Sequence, residues 1–159
     1  MDKNLQPLVS IIVLNYNAKN FLINCIDSIF QSNYQNFEGI LVDNNSDDNS
    51  FEICKENHPE INLIVNKSNL GYCGGNNIGI KQAKGQFIII LNPDTLVEPN
   101  WINEFLKSYE KFGDAIYQPK FISTDDHEMI LSTGQMINLF GFGFSRDKGS
   151  HLKNKNYPT

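Results

Sequence analysis

The feature that most constrains this chain is a regular alternation of short apolar runs with segments of helical periodicity. Runs rich in β-branched residues predict strands, and apolar residues that recur every three or four positions predict amphipathic helices. The predicted strands cover residues 8–14, 39–42, 61–65, 86–91 and 115–122, and the predicted helices cover 19–31, about 48–57, a segment ending near 84, and 98–111. Such alternation is typical of βαβ units, so the sequence predicts an α/β fold with a parallel, doubly wound sheet.

The run from Phe87 to Leu91 is continuously apolar and contains three consecutive isoleucines. Such a run predicts a central strand that is buried on both faces between helix layers. It ends at Asn92-Pro93-Asp94, and Pro93, which lacks an N–H, fits a strand end better than a strand interior. We therefore expect a carboxylate and an amide at the carboxyl end of a central strand, where open α/β sheets bind ligands and where hard oxygen atoms can hold a cation against phosphate.

The composition predicts one domain and argues against nucleic-acid binding. The 159 residues carry a net charge of −5 with a pI of about 5.1, so bulk charge does not favour a polyanionic partner. Three scattered cysteines and the absence of a signal-like start or of an apolar run near the roughly 20 residues that span a bilayer indicate a cytoplasmic protein, with a position at the inner face of the plasma membrane left open. We predict a single domain over residues 1–145 and a polar, mobile tail over 146–159.

Polar clusters follow three of the predicted strands, and a glycine-rich stretch precedes a predicted helix. The clusters are Asn15-Tyr16-Asn17, Asp43-Asn44-Asn45-Ser46 and Asn92-Pro93-Asp94, and the glycine-rich stretch runs from Gly71 to Asn77. Because the carboxyl ends of parallel strands lie on one edge of a sheet, these segments can converge. There a tyrosine ring can pack on a base, a carboxylate can accept a hydrogen bond from a base or ribose, and N–H groups at a helix start can meet a diphosphate. The alternative for each cluster is ordinary turn chemistry, which Asn, Asp and Gly all favour.

Several familiar motifs are missing from the sequence. Gly71, Gly74 and Gly75 do not form GxGxxG, and no GK[ST] follows them, so neither a dinucleotide fingerprint nor a P-loop is predicted. There is no GxSxG nucleophile elbow, and Cys73 has no histidine near it in sequence, which indicates a packing residue rather than a nucleophile.

Taken together, four stretches resemble the family 2 glycosyltransferases with the GT-A fold, over about residues 8–122. They are Val9 to Asn17, Val42 to Ser46, Asn69 to Gly79, and Leu91 to Thr95. The Asn-Pro-Asp form and the Gly-Asn-Asn stretch most resemble the bacterial rhamnosyltransferase-like branch. The resemblance implies a Rossmann-like, mostly parallel sheet flanked by helices. It also implies an inverting, hexosyltransferase-type enzyme of polysaccharide biosynthesis that uses a nucleotide-diphosphate sugar, Mg²⁺ or Mn²⁺, and a saccharide or lipid-linked acceptor.

The resemblance also assigns roles to particular residues. It implies that Asp43 contacts the base, that Tyr16 lies in the loop that packs on the base, and that Asp94 is the last acid of the DxD motif and contacts the metal. The first acid of that motif is Asn92 here, a departure that removes one negative charge. The expected nucleotide-sugar-binding residues are Asn15, Tyr16, Asp43, Asn45, Gly71, Asn77, Asn92 and Asp94, with Asp94 as the metal ligand.

A second departure concerns the general base. The resemblance implies a second half with acceptor contacts and a carboxylate base in a Glu-Asp pair, and no such pair is recognisable before Thr159, since Asp125, Asp126 and Glu128 come too early. We therefore expect a GT-A domain truncated on its C-terminal side, with the catalytic residue unassigned. Two alternatives stay open: a non-catalytic nucleotide-sugar-binding fragment or remnant, and a nucleotidyltransferase. The latter would carry a basic, glycine-rich loop after the first strand instead of Asn15-Tyr16-Asn17.

Overall fold

The computed structural model describes residues 6–137 and 143–154. The chain divides into two compact units, Met1–Ser108 and Tyr109–Thr159. Each unit has its own strands, and they are described separately. The single domain predicted over residues 1–145 stays a prediction.

The first unit contains a parallel sheet with helices along its chain. Its strands are β1 (Val9–Asn15), β2 (Phe37–Asp43), β3 (Asn62–Val65) and β4 (Phe87–Leu91), and the helices are α1 (Lys19–Phe30), α2 (Ser50–Asn57), α3 (Gly71–Gln82) and α4 (Trp101–Phe112), the last of which ends in the second unit. The strand order is β3-β2-β1-β4, and every neighbouring pair is parallel. The predicted parallel α/β architecture is therefore confirmed.

Strand β1 is the centre of the core, because all seven of its residues are buried. Alternate side chains of a strand point to opposite faces, so Ile11 and Val13 pack in the cluster that includes Leu22 and Ile26 of α1. Ile12 packs on the other face, in a second cluster that the C-terminal end of α3 approaches through Ile80. Burying an aliphatic side chain of this size stabilises a fold by roughly 1.5–3 kcal/mol, which explains why this run organises the sheet.

Strand β4 lies at an edge of the described sheet and not at its centre, so the predicted central position is wrong. One face of β4 packs on the core through Phe87 and Ile89, whereas Ile88 and Ile90 are 45% and 44% exposed. A continuous apolar run does not distinguish an edge strand from a central one, because it reports composition and not the number of neighbours. The two inner strands are β1 and β2.

Glycines allow α3 to lie against the sheet. A Cβ at Gly79 would lie 2.6 Å from Cγ2 of Ile12, and helix α3 contacts both β1 and β2. The glycine-rich stretch predicted to precede this helix forms its first turns instead, since α3 begins at Gly71. After the helix, Gly85 approaches β1 so closely that a Cβ would lie 2.5 Å from the backbone nitrogen of Ser10.

The second unit contains short antiparallel pairs. Strand β5 (Phe121–Ile122) pairs with β6 (Ile130–Ser132), β7 (Gln135–Ile137) pairs with β8 (Gly143–Ser145), and a 3-10 turn covers Leu152–Asn154. The strand predicted over 115–122 is therefore confined to its last two residues.

The described part of the polar C-terminal segment makes contacts within the second unit. The guanidinium of Arg146 donates from Nε to Oγ1 of Thr133 over 2.9 Å and from Nη2 to the Thr133 carbonyl over 2.7 Å. Met129 and His151 form an antiparallel bridge. Residues 155–159 lie outside the described residues, and the predicted mobility of 146–159 stays a prediction.

Within residues 6–137 and 143–154, no helix has the length and apolar character needed to cross a membrane.

Candidate functional site

The carboxyl ends of β1, β2 and β4 meet at one edge of the sheet. Asn15 and Asp43 are opposite each other in the register of β1 and β2, and Val13 is opposite Leu91 in the register of β1 and β4. The Asn92–Asp94 segment therefore leaves the sheet beside the end of β1. Strands lie about 4.8 Å apart, so the ends of β2 and β4 are separated by roughly 10 Å. Asp43 and Asp94 share one edge of the sheet, as the sequence predicted.

Two of the predicted site residues form the buried base of this edge. Asn15 and Asp43 are both fully buried. Nδ2 of Asn15 donates to Oδ1 of Asp43 over 2.7 Å and to Oγ of Ser50 over 2.6 Å. Ser46 donates to Asp43 twice, from its hydroxyl to Oδ1 over 2.6 Å and from its backbone N–H to Oδ2 over 2.9 Å. The buried carboxylate is thus surrounded by donors, which offsets the cost of its desolvation.

This enclosure gives Asp43 a structural role in the observed conformation. Three donors occupy positions on its carboxylate, and the turn that follows β2 closes over it through Ser46. Because Asp43 has no accessible surface, a ligand can reach its carboxylate only if the turn at residues 44–46 moves.

The other predicted site residues are exposed around the same edge. They are Tyr16, Asn45, Gly71, Asn77, Asn92 and Asp94. Tyr16 is 52% exposed directly after β1, so its aromatic ring is accessible for stacking on a ligand. Asn45 has a positive φ of 67°, a conformation that the short polar side chain of Asn tolerates in tight turns. Of the eight site residues predicted from the sequence, two are therefore buried and six are exposed.

The Asn92–Asp94 segment offers oxygen ligands for a cation. The side chains of Asn92 and Asp94 are exposed, and their carbonyl and carboxylate oxygens are the hard donors that Mg²⁺ and Mn²⁺ take. No group of three or more His, Cys, Asp or Glu side chains that could hold a metal occurs in the described ranges. One carboxylate and one amide fit a cation whose remaining ligands are phosphate oxygens and water, which is the usual arrangement for Mg²⁺.

A buried thiol contacts the Asn92–Asp94 segment, and no feature of the sequence indicated this contact. Sγ of Cys25, in α1, lies 3.5 Å from the carbonyl oxygen of Asn92 and donates to it. Burial raises the pKa of the Cys25 thiol to about 12; the backbone hydrogen bond from Thr95 opposes this rise, and the charge of Asp94 adds to it. Cys25 therefore stays protonated at neutral pH and acts as a donor, because a thiolate could not donate to the carbonyl.

Helix α3 begins at the same edge, next to the end of β2. Nδ2 of Asn44 donates to Oδ1 of Asn69 over 2.9 Å and to the carbonyl of Gly71 over 3.2 Å. Asn44 was recognised in the sequence only as part of a polar turn, because nothing in its spacing shows that its side chain points toward a distant helix. The structure adds it to the site as a buried connection between β2 and α3.

Two adjacent asparagines of α3 have opposite environments. The predicted residue Asn77 is exposed, whereas Asn76 is buried. Nδ2 of Asn76 donates to the carbonyl of Tyr72 over 3.0 Å, and its Oδ1 has no hydrogen-bond partner within the described part of the chain. The helical phase that separates these two residues depends on how α3 lies on the sheet, so the sequence alone did not distinguish them.

Comparison with known proteins gives consistent results. The family model for glycosyl transferase family 2 matches residues 10–158. Glycosyltransferase GlyG of Streptococcus pneumoniae is 36% identical over 118 residues, which are 70% of this chain and 38% of GlyG. The chain thus spans well under half the length of this relative.

Two solved structures share the fold. TarS 1-349 of S. aureus in complex with UDP is 22% identical with a TM-score of 0.59, over 72% of this chain and 39% of that one. Mannosyltransferase PcManGT of Pyrobaculum calidifontis in complex with GDP-Man and Mn²⁺ is 23% identical with a TM-score of 0.60, over 67% of this chain and 33% of that one. These likenesses confirm the GT-A architecture predicted for this chain.

Proposed function

Because the chain belongs to the family 2 glycosyltransferases, we propose that it is the donor-binding part of an enzyme that transfers a sugar from a nucleotide-diphosphate sugar to an acceptor hydroxyl. The observation that carries this proposal is the meeting of Tyr16, the Asn92–Asp94 segment and the start of α3 at one carboxyl edge of a parallel sheet. Family membership makes the nucleotidyltransferase alternative unnecessary.

In this proposal the base of the nucleotide binds beside the ends of β1 and β2. The exposed ring of Tyr16 stacks on the base, and Asn45 offers an amide from the neighbouring turn. Asn15 and Asp43 stabilise that turn, since both are buried, Asn15 donates to Asp43, and Ser46 of the turn donates to the same carboxylate. Direct contact between Asp43 and the base requires the Ser46 turn to open.

The diphosphate would lie between the start of α3 and the Asn92–Asp94 segment. The N-terminus of a helix favours an anion, because its first N–H groups lack partners within the helix and the helix dipole is positive there. Gly71 begins α3 with a φ of +70°, and apart from the adjoining backbone no described residue lies within 4 Å of the place where its Cβ would be, so this position has room for a ligand. Asn77 lies further along the same helix, on its exposed side.

Asp94, with the amide oxygen of Asn92, would hold Mg²⁺ or Mn²⁺ against this diphosphate. A divalent ion supplies neutralisation of the charge that develops on the leaving diphosphate. The complex of PcManGT with GDP-Man and Mn²⁺ supports this choice of cation.

The proposal also includes inversion at the sugar and membership of the rhamnosyltransferase-like branch. It further includes a saccharide or lipid-linked acceptor and activity at the inner face of the plasma membrane.

The general base of the transfer is left unassigned in the proposal. Among the acidic residues after α4, Asp126 accepts a hydrogen bond from the backbone of Glu128 over 3.0 Å, and Glu128 pairs with Lys153. The Asp126 contact is local to a turn and the Glu128–Lys153 pair is an exposed ion pair, so neither contact identifies a general base. The second candidate function is a nucleotide-sugar-binding module without turnover.

Thermal shift with a panel of nucleoside diphosphates tests the proposal. UDP, GDP and dTDP are each added with and without MnCl₂, since a ligand that binds only the folded state at 100 times its Kd adds about 2.7 kcal/mol of stability. We expect at least one nucleotide to raise Tm, more so with Mn²⁺, and Asp94→Ala to remove the effect of Mn²⁺. Asp114→Ala, at an exposed aspartate after α4, is the matched control. No change in Tm with any nucleotide at millimolar concentration would overturn the proposal.

A further inference from the structure

We propose that Asn44 is a positioning residue for the donor diphosphate: its side-chain amide fixes the entry into α3 from the end of β2. This rests on the proposed function, in which the first turn of α3 meets the diphosphate. Asn44 itself is 2% exposed, so it acts through the segment it holds and does not touch the ligand.

The amide of Asn44 uses its full hydrogen-bonding capacity. It donates to Oδ1 of Asn69 and to the carbonyl of Gly71, over 2.9 and 3.2 Å. Its Oδ1 accepts from Nδ2 of Asn66 over 3.0 Å and from the backbone N–H of Leu70 over 3.2 Å. A side-chain amide has two N–H donors and an oxygen with two lone pairs, so all four positions are occupied. One buried side chain thus connects the exit of β3 with the entry into α3.

The segment that carries Asn44 is itself fixed to the sheet. The backbone N–H of Asn44 donates to the carbonyl of Asn15 over 2.8 Å, and the backbone N–H of Asn66 donates to the carbonyl of Asp43 over the same distance. On the opposite side, a Cβ at Gly75 would lie 3.3 Å from Nδ2 of Asn44 and 2.3 Å from Cδ1 of Leu14. Glycine at this position therefore lets α3 approach the amide. The residue after β2 therefore positions the start of α3.

This arrangement determines which N–H groups of α3 remain for a ligand. The first four N–H groups at a helix start have no partner within the helix. The N–H of Leu70 donates to Asn44, and that of Gly71 donates over 2.8 Å to Oδ1 of Asn69, the same oxygen that Asn44 holds. The next two, of Tyr72 and Cys73, have no hydrogen-bond partner among residues 6–137 and 143–154. Asn44 and Asn69 thus occupy the first two N–H groups, and the N–H groups of Tyr72 and Cys73 are available at the edge where the diphosphate is proposed to bind.

The chemistry requires an amide and not a carboxylate at this position. Both groups that accept from Asn44 are oxygens, so a carboxylate in its place would face two acceptors without a proton to offer. Asn44→Asp keeps the shape and the two accepting positions but loses both donations. A protonated carboxyl would restore one of them, so the defect should depend on pH.

The experiment compares the affinity of UDP with MnCl₂ for the wild type and for Asn44→Asp by calorimetry, at pH 8 and at pH 5.5, with GDP and dTDP in parallel. At pH 8 we expect the variant to bind about 10-fold more weakly, the scale of one to two net hydrogen bonds. Burial beside two oxygen acceptors raises the pKa of the introduced carboxyl, whereas hydrogen bonds from Asn66 and Leu70 lower it. We expect burial to dominate, so at pH 5.5 the ratio of the two affinities should move back toward one. Asn33→Asp makes the same charge change at an exposed position after α1 and should bind like the wild type.

Hydrogen exchange of the wild-type amides gives a second test that does not depend on how well the variant folds. We expect Leu70 and Gly71 to exchange slowly without ligand, and Tyr72 and Cys73 to exchange quickly until UDP and MnCl₂ are added. Equal affinity of the wild type and Asn44→Asp at pH 8, or fast exchange of Leu70 and Gly71, would overturn the role of Asn44. Failure of the wild type to bind any of the three nucleotides would instead overturn the proposed function.

Discussion

Asn15 and Asp43 occupy opposite positions at the ends of two adjacent parallel strands, and Nδ2 of Asn15 donates to Oδ1 of Asp43 over 2.7 Å. Both residues are fully buried. Two residues that the family resemblance predicts to bind the nucleotide sugar are thus enclosed at the carboxyl edge of the sheet. Changes at this pair should affect the fold and the site together.

Asp43→Ala should lower both stability and nucleotide affinity. The substitution removes one acceptor of Asn15 Nδ2 and leaves the backbone N–H and the hydroxyl of Ser46 without the carboxylate they donate to, and an unsatisfied buried group costs about 1–3 kcal/mol. The turn above it should then lose its shape, and UDP should bind more weakly even without metal. Urea unfolding and calorimetry measure the two effects, with Asp47→Ala, at an exposed position of the same turn, as the control. Unchanged calorimetric affinity would remove Asp43 from the site.

Asn92→Asp should strengthen metal binding in the presence of nucleotide. It adds a second carboxylate beside Asp94 and thus restores the charge that the departure from the DxD pattern removed. We expect a several-fold lower apparent Kd for Mn²⁺ when UDP is bound, measured by titration calorimetry. Asn33→Asp again controls for net charge. The role of this segment in metal binding is contradicted if the two variants respond alike.

Gly79→Ala should destabilise the fold, although alanine is the better helix former. The added methyl would lie 2.6 Å from Cγ2 of Ile12 and 3.1 Å from Cγ2 of Val42, which are stiff β-branched side chains in the core. Overpacking of this kind costs typically 1–3 kcal/mol, against a gain of about 1 kcal/mol in helix propensity. Denaturant unfolding should show a net loss, whereas Lys81→Ala on the exposed side of α3 should be nearly neutral.

Asp48 should make stability depend on pH in the acidic range. Its Oδ1 accepts from the backbone N–H of Ser50 and its Oδ2 from that of Lys19, which joins the start of α2 to the start of α1. Burial opposes ionisation, but hydrogen bonds from the Ser50 side chain and from the backbone of Lys19 and Ser50 together hold the pKa of Asp48 below its ordinary value. A lowered folded-state pKa contributes stability above the ordinary pKa, and that stability is lost as pH falls through the folded-state value.

The matched variant for this prediction is Asp48→Asn, which keeps the shape but has no charge to lose. Urea midpoints from pH 7 down to pH 3 should fall less steeply for Asp48→Asn than for the wild type. Parallel curves for the two proteins would show that Asp48 does not contribute to the acid dependence.

The 159-residue chain should bind a nucleoside diphosphate with Mg²⁺ or Mn²⁺ but transfer sugar poorly or not at all. A positioned base contributes about 10²–10⁴-fold to such a reaction, and none is assigned here. Incubation with donor sugars and candidate acceptors, beside a longer form if the gene continues, measures this directly. Turnover by this chain at the rate of a longer form would contradict the prediction, and Asp125, Asp126 and Glu128 would be the first positions to substitute.

The alternation of strands and helices, and the edge at which the polar clusters meet, could be predicted from the sequence. These follow from local periodicity, and the parallel direction of the strands follows from the helices between them. For this reason Asn92 and Asp94 were correctly placed beside the end of a strand, on the same edge as Asp43.

The order of the strands and the direction of each polar side chain could not be predicted without the three-dimensional fold. Strand order depends on pairing between distant segments, and so β4 lies at the edge although its composition resembles that of a central strand. A loop has no period that indicates which side chain turns inward, and so Asn44 is buried while Asn45 is exposed. Those directions are set by the partners that the fold brings together, and the partners of Asn44 lie more than twenty positions away in the sequence.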